Sequence, residues 1–260
     1  MGMLDGKVAL VSGLGPNLGR SVALALADEG AELVLAARKE KRLVRVADEI
    51  AERGGTATCV PTDVTDEASC AALAEAIADR HGRLDVLVNN AFSDGTHTTF
   101  AEGGLAGWRE TMDVNLWGTL GLTHALLGVL EAAGDARVIM VNSMSTWKIE
   151  PGFGAYVASK GALAAVTKTL AVELGAKGIR VNGVHPGYIY GAGVEWYLNH
   201  LADERGVEFQ VVYDELAGET ALGYLPPADE VAGSIVFFAS PLARCITGQS
   251  LGVNGGHWLS

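Results

Sequence analysis

Cysteine is scarce in this sequence. Cys59, Cys70 and Cys245 form no C-x-x-C pair, and their number is odd. That excludes a disulfide framework and points to small buried thiols in a reduced, cytoplasmic chain. Positive charge is also in deficit: 19 Lys and Arg stand against 31 Asp and Glu, a net charge of −12. Nucleic acid and anionic membranes need a basic face, so neither is expected as a partner. No apolar run approaches the length that crosses a bilayer. The opening MGMLDGKVAL lacks the charged and apolar regions of a signal peptide, and Gly6 stands where myristoylation requires Ser or Thr. There is no repeat and no Pro- or Ser-rich linker, and His, Cys and carboxylates nowhere take a metal-ligand spacing, so no metal is expected.

What is present suits a large packed core. Hydrophobic residues make up 49% of the chain, and the 34 glycines gather at turns. Short β-type runs alternate with longer helical patterns. The strands are predicted at Lys7–Val11, Glu32–Ala37, Thr56–Pro61, Leu84–Val88, Arg137–Asn142, Ile179–Val184 and Ser250–Val253. Helices are predicted at Leu18–Glu29, Lys39–Arg53, Asp66–His81, within Leu105–Ala133, at Ala155–Ala176 and at Asp229–Ala239. Seven strands with intervening helices predict an α/β, Rossmann-type, doubly wound and mostly parallel sheet with helices on both faces. Residues 1–260 read as one domain, with an irregular, aromatic-rich lid region at about 188–227.

The stretch SGLGPNLGR, Ser12 to Arg20, follows the first strand. A strand that runs through a glycine-rich turn into a helix offers backbone N–H groups and a positive dipole to a phosphate. The fit to G-x-G-x-x-G fails at Leu18, and an ordinary βα turn would read much the same. Gly15 and Asn17 are both able to take positive φ, and Asn17 is expected to use that freedom. Later, Tyr156 and Lys160 stand at i and i+4 on one helical face. The lysine is expected to lower the phenol's pKa and make Tyr156 an acid–base group, although a surface pair would share this spacing. Ser143 emerges where a strand ends, with Ser145 as a rival hydroxyl.

Taken together, these residues resemble the short-chain dehydrogenase/reductase family over essentially the whole chain. Ser12 to Gly19 overlays its T-G-x-x-x-G-x-G loop, with Asn17 in place of the middle glycine, and Leu87-Val88-Asn89-Asn90-Ala91 matches its N-N-A-G segment. Asn115 matches the helix asparagine, Ser143 lies thirteen residues before Tyr156, and Ile179 to Gly187 leads into the family's P-G pair. Ile246-Thr247-Gly248-Gln249 and Val253-Asn254-Gly255-Gly256 match its closing signature. The resemblance implies a nicotinamide-dependent oxidoreductase acting on a small molecule. By that likeness Tyr156 exchanges the proton, Ser143 holds the substrate oxygen, Lys160 tunes Tyr156 and holds the ribose, and Asn115 holds a water beside Lys160. The cofactor set it implies is Gly13, Gly15, Asn17, Leu18, Gly19, Arg38, Asp63, Val64, Asn90, Ala91, Tyr156, Lys160, Pro186, Gly187 and Ile189.

At the end of the second strand Ala37 and Arg38 replace the acid that an NAD enzyme usually has there. Arginine suits a 2′-phosphate, so NADP(H) is favoured, with NAD(H) as the alternative. Pro16, where NADP-using relatives often carry a basic residue, argues the other way. Phe92 stands where glycine is expected, and Tyr190 where a threonine near the carboxamide is expected. Trp147, Phe153, Tyr188, Trp196, Tyr197 and Trp258 are expected to line or flank a pocket for an apolar or aromatic substrate. His185 is expected on the cofactor side. Two long helices that are apolar beyond one face, together with the resemblance, imply a homo-oligomer, and a tetramer is expected.

Overall fold

A computed structural model describes residues 2–259. Seven strands form one sheet: β1 (Val8–Ser12), β2 (Glu32–Ala37), β3 (Ala57–Pro61), β4 (Val86–Asn89), β5 (Ala136–Val141), β6 (Ile179–Pro186) and β7 (Ser250–Val253). Their order is β3-β2-β1-β4-β5-β6-β7, and every pairing is parallel. The sheet is the expected doubly wound Rossmann arrangement. Strand alternation divides the core. Ala9, Val11, Leu33 and Leu35 face α1 (Leu18–Asp28), α2 (Glu40–Glu52) and α11 (Ala228–Ala239). Val8, Leu10, Val34 and Ala36 face α3 (Glu67–His81), the helices of 106–132 and α8 (Gly154–Leu174).

At the foot of the sheet buried Asp85 accepts from Lys7 Nζ at 2.8 Å, Val8 N at 3.0 Å and Arg83 Nε at 3.1 Å. Burial alone would raise its pKa. The hydrogen bonds from Lys7, Val8 and Arg83 outweigh it and hold the carboxyl below its ordinary value. Asp85 thus joins β1 to the start of β4, and sequence reading did not single it out.

The long helix expected within Leu105–Ala133 is broken. A short α4 (Phe100–Gly103) precedes α5 (Ala106–Met112), a π turn follows over Asp113–Gly118, and α6 (Thr119–Ala125) and α7 (Leu127–Ala132) complete the segment. At Gly118 the backbone lies so close to the loop after β3 that a Cβ would come within 2.9 Å of Val64 Cγ2. Glycine, with no Cβ, is what permits that approach.

The irregular region contains α9 (Ala192–Arg205) and α10 (Phe209–Gly218). They enclose a third apolar cluster around Leu198, Ala202, Val212, Ala217 and Leu225, separate from both sheet faces. A neck closes this excursion: Tyr190 N donates to Pro226 O at 2.9 Å, and Tyr190 bridges to Pro227. Among the described residues no helix is long and apolar enough to cross a membrane.

Candidate active site

At the carboxyl ends of β1, β2, β4, β5 and β6 the chain encloses a cavity of 960 Å³. Every catalytic and cofactor residue assigned by the family resemblance lines it, except Asn115. The glycine loop forms one wall. Gly13 takes φ 81°, and a Cβ there would stand 2.4 Å from Ala91 Cα. A Cβ on Gly19 would meet Gly13 O at 2.4 Å. Asn90 Nδ2 donates to Gly13 O at 2.6 Å and ties the loop to the end of β4. Gly15 has nothing within 4 Å of its would-be Cβ. Its bareness leaves room beside the backbone, which a pyrophosphate needs. The first turn of α1 carries no acidic residue and no side-chain cap bond, so its N–H groups and dipole have no anion of the protein's own. These features fit a dinucleotide.

Asn17 corrects the reading of this loop. Its φ is −103°, not left-handed; among the described non-glycine residues positive φ falls on His97, at 53°. Asn17 is the N-cap residue of α1, and its side chain turns to Gly191 at the start of the lid, where a Cβ would stand 3.2 Å from either amide atom. Side-chain contact, not backbone freedom, is what asparagine supplies here.

The adenosine end, as the loop geometry defines it, carries exposed Arg38, Lys39 and Arg42. Asp63 Oδ1 accepts from Thr65 N at 3.0 Å and Thr65 Oγ1 at 2.7 Å. These two bonds, and then the charge of Arg38, keep its carboxyl below its ordinary value. Asp63 therefore builds a turn and lines the cleft at once.

At the other end stand Ser143, Tyr156 and Lys160. Ser143 follows β5, and its Oγ accepts from Ser145 N at 3.1 Å. Burial pushes the Tyr156 phenol up to about 12, and the Ser143 side chain draws it down only in part. Lys160 is buried, its Nζ 5.7 Å from the Tyr156 ring centroid. The ammonium donates to Val141 O at 2.7 Å, and burial brings its pKa down to about 7. The expectation that Lys160 draws the phenol down is therefore not met among the protein's own groups: desolvation of both residues dominates.

Ser145 does not line the cleft, and its hydroxyl is buried without a protein partner, so geometry prefers Ser143. Asn115 is wholly buried on the π turn. Its Nδ2 donates to Ser93 O at 2.8 Å and Ser159 Oγ at 2.9 Å, and its Oδ1 accepts from Ser93 N at 2.7 Å. Both amide hydrogens are committed, so the side chain cannot donate to the expected water. It fixes the loop after β4 against α8.

His185, expected on the cofactor side, does not line the cleft. It lies behind Ser143, with Nδ1 2.8 Å from Ser143 O and its ring stacked on Trp147 at 4.3 Å. Burial lowers its pKa, and a neutral ring that donates from Nδ1 supports the serine loop. The sequence placed His185 next to Pro186 but carried no sign of this contact.

Of the aromatic residues expected at the substrate end, Phe153, Tyr188, Trp196 and Tyr197 line the cleft. Trp147 and Trp258 do not, nor does Tyr190, which packs edge-on to Tyr213 within the lid. Phe92 does line it, edge-on to Tyr156 at 6.5 Å. His97 and Asp94 complete that wall, with His97 packed on Phe153 at 4.7 Å.

Residues 13–257 match a family model described as enoyl-(acyl carrier protein) reductase. An uncharacterized oxidoreductase of Methylorubrum extorquens is 36% identical over 98% of this chain and 99% of its own. Among solved structures, an NAD+-bound xylitol dehydrogenase superposes with TM-score 0.90 at 27% identity, over 97% of this chain and 99% of that one. A variant of actinorhodin polyketide ketoreductase with NADPH gives 0.90 at 30%, over 99% of each chain. A 7α-hydroxysteroid dehydrogenase with NADH and 7-oxo glycochenodeoxycholic acid gives 0.87 at 29%, over 97% and 94%.

Proposed function

The chain belongs to the short-chain dehydrogenase/reductase family and is an NAD(P)(H)-dependent oxidoreductase that transfers hydride to or from a small organic molecule; from this we propose that it interconverts a carbonyl and a secondary alcohol on an apolar or aromatic substrate. The observation that carries the reading is the convergence of Ser143, Tyr156 and Lys160 on the aromatic-lined end of one cavity. The dinucleotide supplies or accepts the hydride. Gly13, Gly15, Asn17, Leu18 and Gly19 would hold its pyrophosphate, Asp63, Val64, Asn90 and Ala91 its adenosine side, and Pro186, Gly187 and Ile189 its nicotinamide side. Tyr156 holds the proton that a carbonyl oxygen gains or a hydroxyl loses. A phenol near 12 is a proton donor at neutral pH, and abstraction from an alcohol needs a cation close by to stabilise phenolate. Lys160, buried beside it, is that cation once protonated. Ser143, lining the same cleft as the phenol, orients the oxygen, which confines reaction to one geometry.

For the cofactor, Arg38, Lys39 and Arg42 line the cleft after β2, where Ala37 stands in place of an acid, and this local charge supports NADP(H). Likeness to structures whose stated cofactors are NAD+ and NADH supports NAD(H), against one with NADPH. We take the local charge as the reading to test. The whole chain acts as one catalytic domain whose lid is 188–227, in a soluble cytoplasmic enzyme. We also propose a homotetramer: Trp117 of the π turn and Val172 of α8 expose 61% and 83% of their surface. Light scattering at 27.0 kDa would refute it.

The activity test is to incubate the enzyme with NADPH or NADH and a panel of bulky aromatic ketones, beginning with acetophenone, while following cofactor absorbance. An enoyl thioester belongs in the panel because the matched family description names that chemistry. Turnover of the thioester alone would overturn the carbonyl reading.

A further inference from the structure

The pair α9 and α10 is bonded mainly to itself. Among the described residues, the side-chain hydrogen bonds made by residues 190–218 end within that stretch, as with Arg205 on Glu215, Gln210 on Asp214 and Asn199 on Glu195 O. The C-cap of α10, Glu219, is where side chains fasten this unit to the body. Its Oε2 accepts from Lys148 Nζ at 2.5 Å and lies 2.9 Å from His257 Nε2, and Nζ and Nε2 are 2.6 Å apart. Three segments meet here: the loop between Ser143 and Tyr156, the end of the lid and the carboxyl-terminal tail.

The ring nitrogen cannot accept from Lys148 and donate to Glu219 together. The ammonium has three hydrogens and serves both partners when the ring is neutral. The His257 side chain is 2% exposed and stacks on Tyr188 at 5.8 Å. Tyr188 lines the substrate end of the cleft and lies parallel to Tyr197 of α9 at 6.4 Å. Its hydroxyl donates to Glu150, 3.1 and 3.2 Å from the two carboxylate oxygens. Glu150 stands two residues after Lys148, so one loop holds both the ring's neighbour and its hydroxyl.

We propose that Lys148, Glu219 and His257 form a latch that fixes α9 and α10 over the cleft and seats Tyr188 as the residue that selects substrate by shape. The latch stands on the contacts alone, while Tyr188's selectivity rests on the hydride-transfer reading above. The three latch members are positioning residues; the carbonyl chemistry stays with Ser143 and Tyr156.

The test compares wild type with Glu219→Gln, Lys148→Met and Lys148→Arg in the full chain, each with its melting curve recorded. Hydrogen exchange of backbone amides in 192–217 is the first readout, since it reports opening of this unit directly. Exchange there is expected to rise about tenfold in Glu219→Gln and Lys148→Met and to return toward wild type in Lys148→Arg, while the amides of β1 and β4 stay unchanged. In the acetophenone assay KM is expected to rise more than kcat falls, with the dissociation constant of NADPH within about twofold of wild type. Exchange in 192–217 unchanged in both Glu219→Gln and Lys148→Met overturns the latch. If exchange responds as expected but no ketone is turned over even by wild type, the latch stands and the carbonyl reading falls. If exchange responds while KM does not move, the role of Tyr188 is overturned.

Discussion

Lys160→Met is expected to abolish activity and yet make the protein more stable at neutral pH. Lys160 is 2% exposed, and burial lowers its pKa from the ordinary 10.5 to about 7. A lysine whose folded pKa lies below its unfolded one binds its proton more readily in the unfolded chain. Between pH 7 and 10.5 the unfolded state therefore carries a proton that the folded state lacks, and stability rises with pH across that window. Integrating the two titrations gives a penalty of about 4 kcal/mol at pH 7, falling by about 3 kcal/mol by pH 9.5. Methionine removes the penalty and keeps most of the packing. It also leaves Val141 O, which accepts from Nζ at 2.7 Å, without its donor. An orphaned buried carbonyl costs about 1–3 kcal/mol. The net gain at pH 7 is then about 1–3 kcal/mol. Urea unfolding at pH 7 and 9.5, at one fixed protomer concentration, measures both the gain and the slope. Above pH 10 the Tyr156 phenol, held at about 12, would reverse the trend, because the unfolded chain then loses its proton first. A Lys160→Met protein that is less stable than wild type at pH 7, or that keeps the wild-type pH slope, would refute the reasoning.

Tyr156→Phe is expected to lower turnover by at least about a hundredfold, with cofactor dissociation constants within about twofold of wild type; stopped-flow turnover beside fluorescence titration checks this, and turnover within about tenfold would remove Tyr156 from the proton-transfer role. Arg38→Ala is expected to weaken NADPH by about ten- to a hundredfold and leave NADH nearly unchanged; an unchanged ratio of the two dissociation constants would favour NAD(H). Gly19→Ala places a methyl 2.4 Å from Gly13 O, which must move; it is expected to destabilise the fold by about 1–3 kcal/mol and to weaken both cofactors, as read by thermal unfolding and titration.

Ser143, Tyr156 and Lys160 were legible because local rules place them: a serine at a strand end, and a phenol and ammonium one helical turn apart. The sheet was legible for the same reason, since apolar runs separated by glycine punctuation set each strand without long-range information. Asn17 departs from the expectation in its backbone, and its side chain lies against Gly191, 174 positions away, a neighbour that no local pattern reports. Strand pairing brings His185 to Ser143 O and Asp85 to Lys7 and Val8. The π turn at Asp113–Gly118 interrupts a segment whose own residues read as continuous helix, and Gly118 within it lies against Val64 of a distant loop. The phenol's upward shift was missed because two residues at i and i+4 say nothing about how much water either retains.

The neck of the lid bears on how such a chain changes over generations. Tyr190 and Pro226 are hydrogen-bonded neighbours, so 191–225 leaves the body and returns at one spot. The entropy of closing such an excursion grows only with the logarithm of its length. Insertions and deletions beyond the neck therefore leave β6 and α11 in register, and the segment has its own apolar centre around Leu198 and Val212. Selection can rewrite this segment as a cassette, acquiring new substrates, while Ser143 and Tyr156, anchored on the sheet side, keep their spacing.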